Sequence, residues 1–428
     1  MLFIAAVNHE ADHQHRHVDD QTRYRYIDEI VTLTKNFATI VSVRLVGRLS
    51  IFEAGNMTGD RFLIISGHDF RTKRKASVHF IAQSLLQHGE VCFYSIGFSH
   101  VSRAKKDHRV ELWSLANTVC EFNGVQCFLE RSLVHPFRTR PDWLSVPEAL
   151  WFQAYAKRPR KQFWDWVGSA TTIIFESGMS VLLAEQIALA NPTARKIYLA
   201  SDDLRTIGCS NYLIHCLDRS AASLEYAVLT SKFLAGAMPP ELKLVYVPHG
   251  FDQRPFLSDS DSPYTDPINA VSVGQTLFDE SFFQIACEQF PEVTFHIIGA
   301  GRRSSKVTAP NAVVRQEMPF ADTIPFIKHA SIGIAPYVNK GSPYYLSDTS
   351  LKLAQYEFVG LNAVCPFFAC GQKPGRFGYD PGNSSSIFNA VTQALSKPRS
   401  QPDPSEFLDW ESVTNRFLTP ERFPDTRM

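Results

Sequence analysis

Two stretches of the chain combine residue types that could hold an anion and accept a proton. In the second half, Ser347-Asp-Thr-Ser-Leu-Lys-Leu-Ala-Gln-Tyr-Glu-Phe-Val-Gly360 sets three good N-cap residues, Asp348, Thr349 and Ser350, ahead of a helical pattern with Lys352 in its first turn. Free backbone N–H groups, a hydroxyl and an ammonium are the parts of a diphosphate site. A lysine there opposes the helix dipole, which an anion would offset. The competing reading is a capped surface helix with a solvated lysine. In the first half, Tyr198-Leu-Ala-Ser-Asp-Asp203 closes an apolar run with two adjacent carboxylates. At the carboxyl end of a parallel strand, Asp202 or Asp203 suits a general base for an attacking hydroxyl. Either could instead cap the next helix, and since one cap suffices the pair could divide the labour. Glu176, closing the preceding strand pattern, is a further carboxylate candidate with the same capping alternative.

The elements that must position these groups alternate along the chain. Short β-branched runs near 61–66, 91–96, 171–175, 196–200, 226–230 and 242–247 interleave with helical patterns at 76–87, 147–157 and 179–190. Pro147 is expected at the first helical position. After Pro248-His249-Gly250 the alternation restarts, with strands near 270–273, 294–298, 312–315, 331–335 and 363–366 and helices at 278–289, 322–329, 349–359 and 384–395. The expectation is α/β with two Rossmann-like domains, 57–247 and 248–404, facing across a cleft as in the GT-B architecture. Segment 405–428, with Trp410, Phe417 and Phe423, is expected to pack back on the first domain. Gly274, Gly299 and Gly301 fall at strand-to-helix turns, where backbone can approach a ligand or simply turn. Glu317 and Tyr337 lie beyond two strand ends on the same edge. Glu317 could accept hydrogen bonds from a ribose or base, or remain a solvated carboxylate.

Composition narrows the function classes. The chain has 428 residues, 44% hydrophobic and 20% charged, which excludes a wholly disordered protein. Its 43 basic residues balance 43 acidic ones, so the total gives a nucleic-acid binder no support. Eight scattered cysteines without a C-x-x-C pair read as thiols in a reducing compartment. No apolar run is long enough to span a bilayer, the nearest, 37–52, being broken by Arg44 and Arg48, and the opening MLFIAAV lacks a basic leader. Residues 1–56, with His9, His13, His15 and His17, read as a flexible extension; metal binding by the histidines and translation from Met57 are the alternatives. Residues 57–166 hold 16 Lys+Arg against 10 Asp+Glu, clustered around Arg71, Arg103, Arg109, Arg138 and Arg160 and interleaved with Phe137, Trp143, Trp151, Phe152, Phe163, Trp164 and Trp166. Such a surface fits an anionic membrane leaflet. An acceptor-diphosphate pocket, a solvated face and single-strand stacking are the alternatives, the last without any accompanying motif.

Several separated motifs occur together: Phe62-Leu-Ile-Ile-Ser-Gly-His-Asp-Phe-Arg-Thr72, Val134-His-Pro-Phe137, Phe175-Glu-Ser-Gly178, Ala200-Ser-Asp202, Gly333-Ile-Ala-Pro-Tyr337, Ser350-Leu-Lys352 with Gln355-Tyr356, and Arg376-Phe-Gly-Tyr379. In this order they resemble the xanthan-assembly glucuronosyltransferase family, GumK, from residue 57 to the C-terminus. The resemblance implies a GT-B fold and an inverting, metal-independent transfer with no cofactor. UDP-glucuronic acid would be the donor, and a mannose-terminated, polyprenyl-diphosphate-linked oligosaccharide of exopolysaccharide assembly the acceptor. It further implies an acceptor-binding first domain, a donor-binding second domain, and peripheral attachment at the cytoplasmic face of the inner membrane. Carried onto matching positions, Asp202 is the catalytic base, and Thr276, Glu317, Met318, Tyr337, Ser350, Lys352 and Gln355 are donor-binding candidates. Thr276 and Leu351 stand where the family pattern has methionines. The residues alone leave open a glycosyltransferase for a neutral nucleotide sugar and a non-catalytic nucleotide-sugar-binding partner.

Overall fold

Runs such as Phe62 to Ile65 and Thr172 to Phe175 carry no polar alternation and are buried on both faces, which is how strands behave when helices cover each side of a parallel sheet. The structure, a computed structural model, describes residues 59–73, 75–105, 107–139, 144–158, 160–275, 277–339 and 344–428. The 1–56 extension, Trp143 and the donor-binding candidate Thr276 lie outside the described residues.

The first half builds an eight-stranded sheet from β1 (Asp60–Ser66), β2 (Gly89–Ser99), β3 (Cys120–Phe122), β4 (Val125–Ser132), β5 (Thr172–Glu176), β6 (Arg195–Ala200), β7 (Tyr226–Leu229) and β8 (Leu244–Tyr246). Its order is β3-β4-β2-β1-β5-β6-β7-β8, parallel throughout except for the β3–β4 hairpin. The second half supplies β9 (Asn269–Val273), β10 (Thr294–Ile298), β11 (Ala312–Arg315), β12 (Ile332–Ile334), β13 (Ala363–Pro366) and β14 (Arg376–Tyr379), a parallel sheet ordered β11-β10-β9-β12-β13-β14. In each sheet the order reverses at one strand, β1 in the first and β9 in the second. Chain leaving these strands and their neighbours β5 and β12 therefore diverges, opening a crevice where ligands bind.

Elements beyond the expected alternation include the β3–β4 hairpin, the helices Lys161–Ser169 and Asn211–Ser220, the short helix Leu346–Thr349, and β14. The helix expected to begin at Pro147 begins two residues earlier, as Ser145–Ala156. Proline still fits there, because the first turn of a helix has no internal acceptor for its N–H. The C-terminal helix Trp410–Leu418 lies on the first half. Phe417 is fully buried in the core shared with Phe62 and Val91, the Tyr226 hydroxyl donates to the Phe417 carbonyl at 2.8 Å, and Trp410 stacks on Phe80. A further apolar core runs continuously from Leu63 and Phe175 through Tyr337 and Tyr345 to Tyr356, joining the two halves.

Candidate functional site

Both switch points carry ionisable side chains. Strand β5 ends at Glu176, whose buried carboxylate accepts from the Ser66 hydroxyl at the end of β1 and lies 3.8 Å from His68 Nε2. Glu176 does not cap the next segment, which starts at Gly178 without a side-chain cap. Burial pushes its pKa up to about 7. Strand β6 lies beside β5 and ends at Ala200, and the chain continues into Ser201, Asp202 and Asp203.

The two aspartates differ in their contacts, and neither caps the next helix, Asn211–Ser220, which Ser210 caps. Asp203 closes the local turn, accepting from the Arg205 N–H at 3.0 Å and the Thr206 hydroxyl at 3.2 Å. Asp202 is anchored through its backbone, its N–H donating to Ser177 Oγ at 3.2 Å, which leaves the half-buried carboxylate to the crevice. Burial, and then the nearby Glu176 and Asp203 carboxylates, raise its pKa to about 6 against an opposing hydrogen bond from the Tyr345 hydroxyl. Asp202 is thus a carboxylate held near the proton affinity a general base needs at neutral pH.

In the second half the anion candidates converge on one helix. Ser350 caps the helix Leu351–Phe358, its hydroxyl accepting from the Leu353 N–H at 3.2 Å and lying 2.5 Å from the Tyr337 hydroxyl. The cap is therefore real, and it coexists with the anion geometry because Lys352 turns back under the sheet. Its ammonium sits 5.5 Å over the Tyr337 ring and 3.4 Å from Ser272 Oγ on β9. With no carboxylate beside it among the described residues, desolvation drags the Lys352 pKa down to about 7. The Tyr356 hydroxyl donates to the Val271 carbonyl at 3.0 Å, fixing the helix against β9. Gln355 is half-buried one turn beyond Lys352. Exposed Glu317 and half-buried Met318 follow β11, and Gly299 faces them: a Cβ there would stand 3.6 Å from the Glu317 Cα. Tyr337, Ser350 and Lys352 form one cluster.

Sequence reasoning missed the residues that join the halves. Ser231 Oγ donates to the Asp348 carboxylate at 2.7 Å. No spacing rule points to this pair, which lies more than one hundred residues apart. The reading of the basic clusters needs correction. Arg71, Arg109 and Arg160 are buried in ion pairs with Asp69, Asp107 and Glu130, each at 2.8 Å. Phe152, Phe163 and Trp166 are core residues. Arg103, Lys105, Arg138, Lys157 and Lys161 remain exposed. Among the described residues no group of three or more His, Cys, Asp or Glu is arranged to hold a metal.

Two doubly wound sheets, each opening a crevice where its strand order reverses, are the GT-B architecture of glycosyltransferases. The fold is shared with HepE from Anabaena, solved with UDP and glucose (TM-score 0.56, 10% identity, 85% of this chain and 99% of that one). It is shared also with a UDP-forming α,α-trehalose-phosphate synthase from Burkholderia xenovorans (TM-score 0.52, 11% identity, 85% and 100%). The family profile for the N-terminal domain of the glucuronosyltransferase GumK matches residues 64–230. The UDP-glucuronate:glycolipid 2-beta-glucuronosyltransferase of Xanthomonas campestris pv. campestris is 43% identical over 383 residues, 89% of this chain and 95% of that protein. The chain belongs to the GumK family of glucuronosyltransferases.

The raised pKa of Asp202 has a consequence for stability. The folded state binds this proton more tightly than the unfolded state, so ionisation weakens the fold progressively from about pH 4 and fully above about pH 6. Asp202→Asn should raise the urea midpoint at pH 8 by an amount worth about 1–2 kcal/mol, and the gain should vanish below about pH 3, where both states are protonated.

Proposed function

We propose that the chain transfers glucuronic acid from UDP-glucuronic acid to a mannose-terminated oligosaccharide carried on a polyprenyl diphosphate, with inversion at the sugar C1, as a step of exopolysaccharide assembly. The observation that supports this reading is the placement of Asp202 just past the end of β6 on one half and of Lys352 on the Ser350-capped helix against β9 on the other. In a single displacement the acceptor hydroxyl loses its proton to Asp202 as its oxygen attacks C1. The bond from C1 to the β-phosphate oxygen breaks on the opposite face, and UDP departs as an anion. Negative charge then grows on the diphosphate, where the open backbone N–H groups of Leu351–Phe358 and the Lys352 ammonium would stabilise it. Glu317, Met318, Tyr337, Ser350 and Gln355 would seat the nucleotide, with Thr276 as a further donor contact. The first half would bind the acceptor, and the second the donor.

The first half also carries a surface suited to a lipid-linked acceptor. Val146 and Leu150, four residues apart on the helix Ser145–Ala156, are 68% and 60% exposed, and Leu133, Val134 and Phe137 are exposed beside them in sequence or contact. Phe137 packs edge-on against Trp151, and the Lys105 ammonium lies 4.9 Å over its ring. Apolar side chains fringed by exposed lysine and arginine favour shallow insertion into an anionic leaflet. No helix among the described residues is long and apolar enough to cross a membrane, so attachment at the cytoplasmic face of the inner membrane would be peripheral.

Two experiments test this reading. With UDP-glucuronic acid and a mannosyl lipid-diphosphate acceptor, Asp202→Asn should lose about 10²–10⁴-fold in turnover while still binding UDP, as expected when a general base is removed; near-normal turnover would remove Asp202 from the role. In flotation assays with phosphatidylglycerol-containing vesicles, the protein should float at low salt and release at high salt. Val146→Asp with Leu150→Asp should abolish flotation, and flotation unaffected by either treatment would leave the patch without this function.

A further inference from the structure

Two sulfur atoms in the second half lie against each other, and nothing in sugar transfer uses them. Cys365 on β13 and Cys370 at the end of the short helix Phe367–Cys370 have their Sγ atoms 3.6 Å apart. Cys365 is fully buried, whereas Cys370 is half-buried. The Cys370 Sγ otherwise faces backbone, 3.9 Å from the Cys365 carbonyl oxygen and 3.7 Å from that of Pro366. A hydrogen bond from the Cys365 thiol lowers the Cys370 pKa against the effect of burial. The more accessible sulfur of the pair is thus also the one that ionises more readily, which is the property of a reactive thiol.

Arg376, the first residue of β14, connects this dithiol to the anion cradle. Its Nη1 donates to the carbonyls of Cys370 at 3.4 Å, Ala369 at 3.3 Å and Ser347 at 2.6 Å. Its Nη2 donates to the Glu357 carboxylate at 3.1 Å, on the same helix whose first turn holds Lys352. Gly371, directly after Cys370, packs on Ser347 as well: a Cβ there would stand 3.2 Å from the Ser347 Cβ. Ser347 belongs to the short helix that leads into Ser350, the cap of the Lys352 helix. Movement of Cys370 therefore reaches the cradle through Arg376 and through the Gly371–Ser347 contact.

We propose that Cys365 and Cys370 form a modification site, a dithiol that hydrogen peroxide converts to a disulfide, and that the oxidised protein holds a nucleoside diphosphate less tightly. The Cys370 thiolate attacks one peroxide oxygen; the O–O bond breaks, and the departing hydroxide takes up the proton that Cys370 released. The Cys365 sulfur then attacks the sulfur of the Cys370 sulfenic acid, the S–O bond breaks, and a second water leaves with the Cys365 proton. Two thiols are oxidised and one peroxide is reduced to two waters. Bonded sulfurs stand about 2.05 Å apart, so this pair must close by about 1.5 Å. Cys365 is fixed in the sheet, so the end of the short helix moves, and the carbonyls that Arg376 holds move with it. Formation of the bond rests on the sulfur geometry alone, whereas its effect on UDP rests on the reading of Ser350 and Lys352 as the diphosphate site.

The test treats the full chain with hydrogen peroxide, blocks remaining thiols, and maps the product without reduction. Chymotrypsin cuts after Phe367 and Phe368, and the fragments carrying Cys365 and Cys370 should stay joined until dithiothreitol is added. Calorimetry with UDP should show the Kd rising about fivefold or more on oxidation, the lower end of ordinary coupling between sites, and returning on reduction. Cys370→Ser should bind UDP as the reduced protein does and should lose the response to peroxide. Absence of the bond overturns the proposal, as does a bond mapped instead to Cys120 and Cys127, which face each other across the β3–β4 hairpin. A bond formed with UDP affinity unchanged, or a peroxide response that survives in Cys370→Ser, overturns the coupling to the cradle. If the reduced protein binds no UDP while the bond still forms, the reading of the cradle fails and the modification site stands.

Discussion

Ionisable groups buried without a matching countercharge are the constraint on which this structure turns. Among the described residues neither Asp202 nor Lys352 forms an ion pair, and burial moves both toward their neutral forms, the carboxylate up to about 6 and the ammonium down to about 7. Arg71, Arg109 and Arg160 show the ordinary alternative, each buried against a carboxylate at 2.8 Å. Desolvation left uncompensated costs stability, and proteins retain it where a substrate supplies the missing partner. On the proposed reading the missing partners are complementary: a proton for Asp202 from an attacking hydroxyl, and a diphosphate for Lys352.

The fold makes that arrangement possible by rigid means. Each group leaves a parallel sheet close to the point where strand order reverses. On the donor side, Tyr356 fixes the helix of Lys352 to β9 through the Val271 carbonyl, and its ring passes so close to β12 that a Cβ on Gly333 would stand 2.4 Å from it. Glycine is required at that crossing. On the acceptor side, Ser177 holds the Asp202 backbone while Asp203 closes the turn, so the carboxylate has little freedom to fold away. The segment 345–352 then spans the two halves. Its Asp348 accepts from Ser231 of the first half at 2.7 Å, and its Ser350 caps the helix that carries Lys352.

Much of this was legible in the sequence because it depends on local pattern. Continuous apolar runs marked β5, β6 and β9 to within a residue or two, while the choice between Asp202 and Asp203 came only from the family resemblance. The β3–β4 hairpin was legible too but passed over: Asn123-Gly124 is a strong two-residue turn signal, and both residues have positive φ, 49° and 82°. The helix Asn211–Ser220 also had its signal in the Ser210 cap. Charge counting failed for a different reason. A cluster of basic residues reads as a surface until partners are known, and Glu130 meets Arg160 from a strand thirty positions away. Glu176 acquires its importance only from what the tertiary fold sets against Asp202, and no spacing records that.

The most direct test of the central claim is whether UDP binding takes up a proton. Isothermal titration with UDP at pH 8, repeated in buffers of different ionisation enthalpy, measures this without any acceptor. The account predicts an uptake approaching one proton, as the diphosphate returns Lys352 to its charged form, and its disappearance in Lys352→Met. Tight UDP binding with no proton exchanged in the unaltered protein would contradict it.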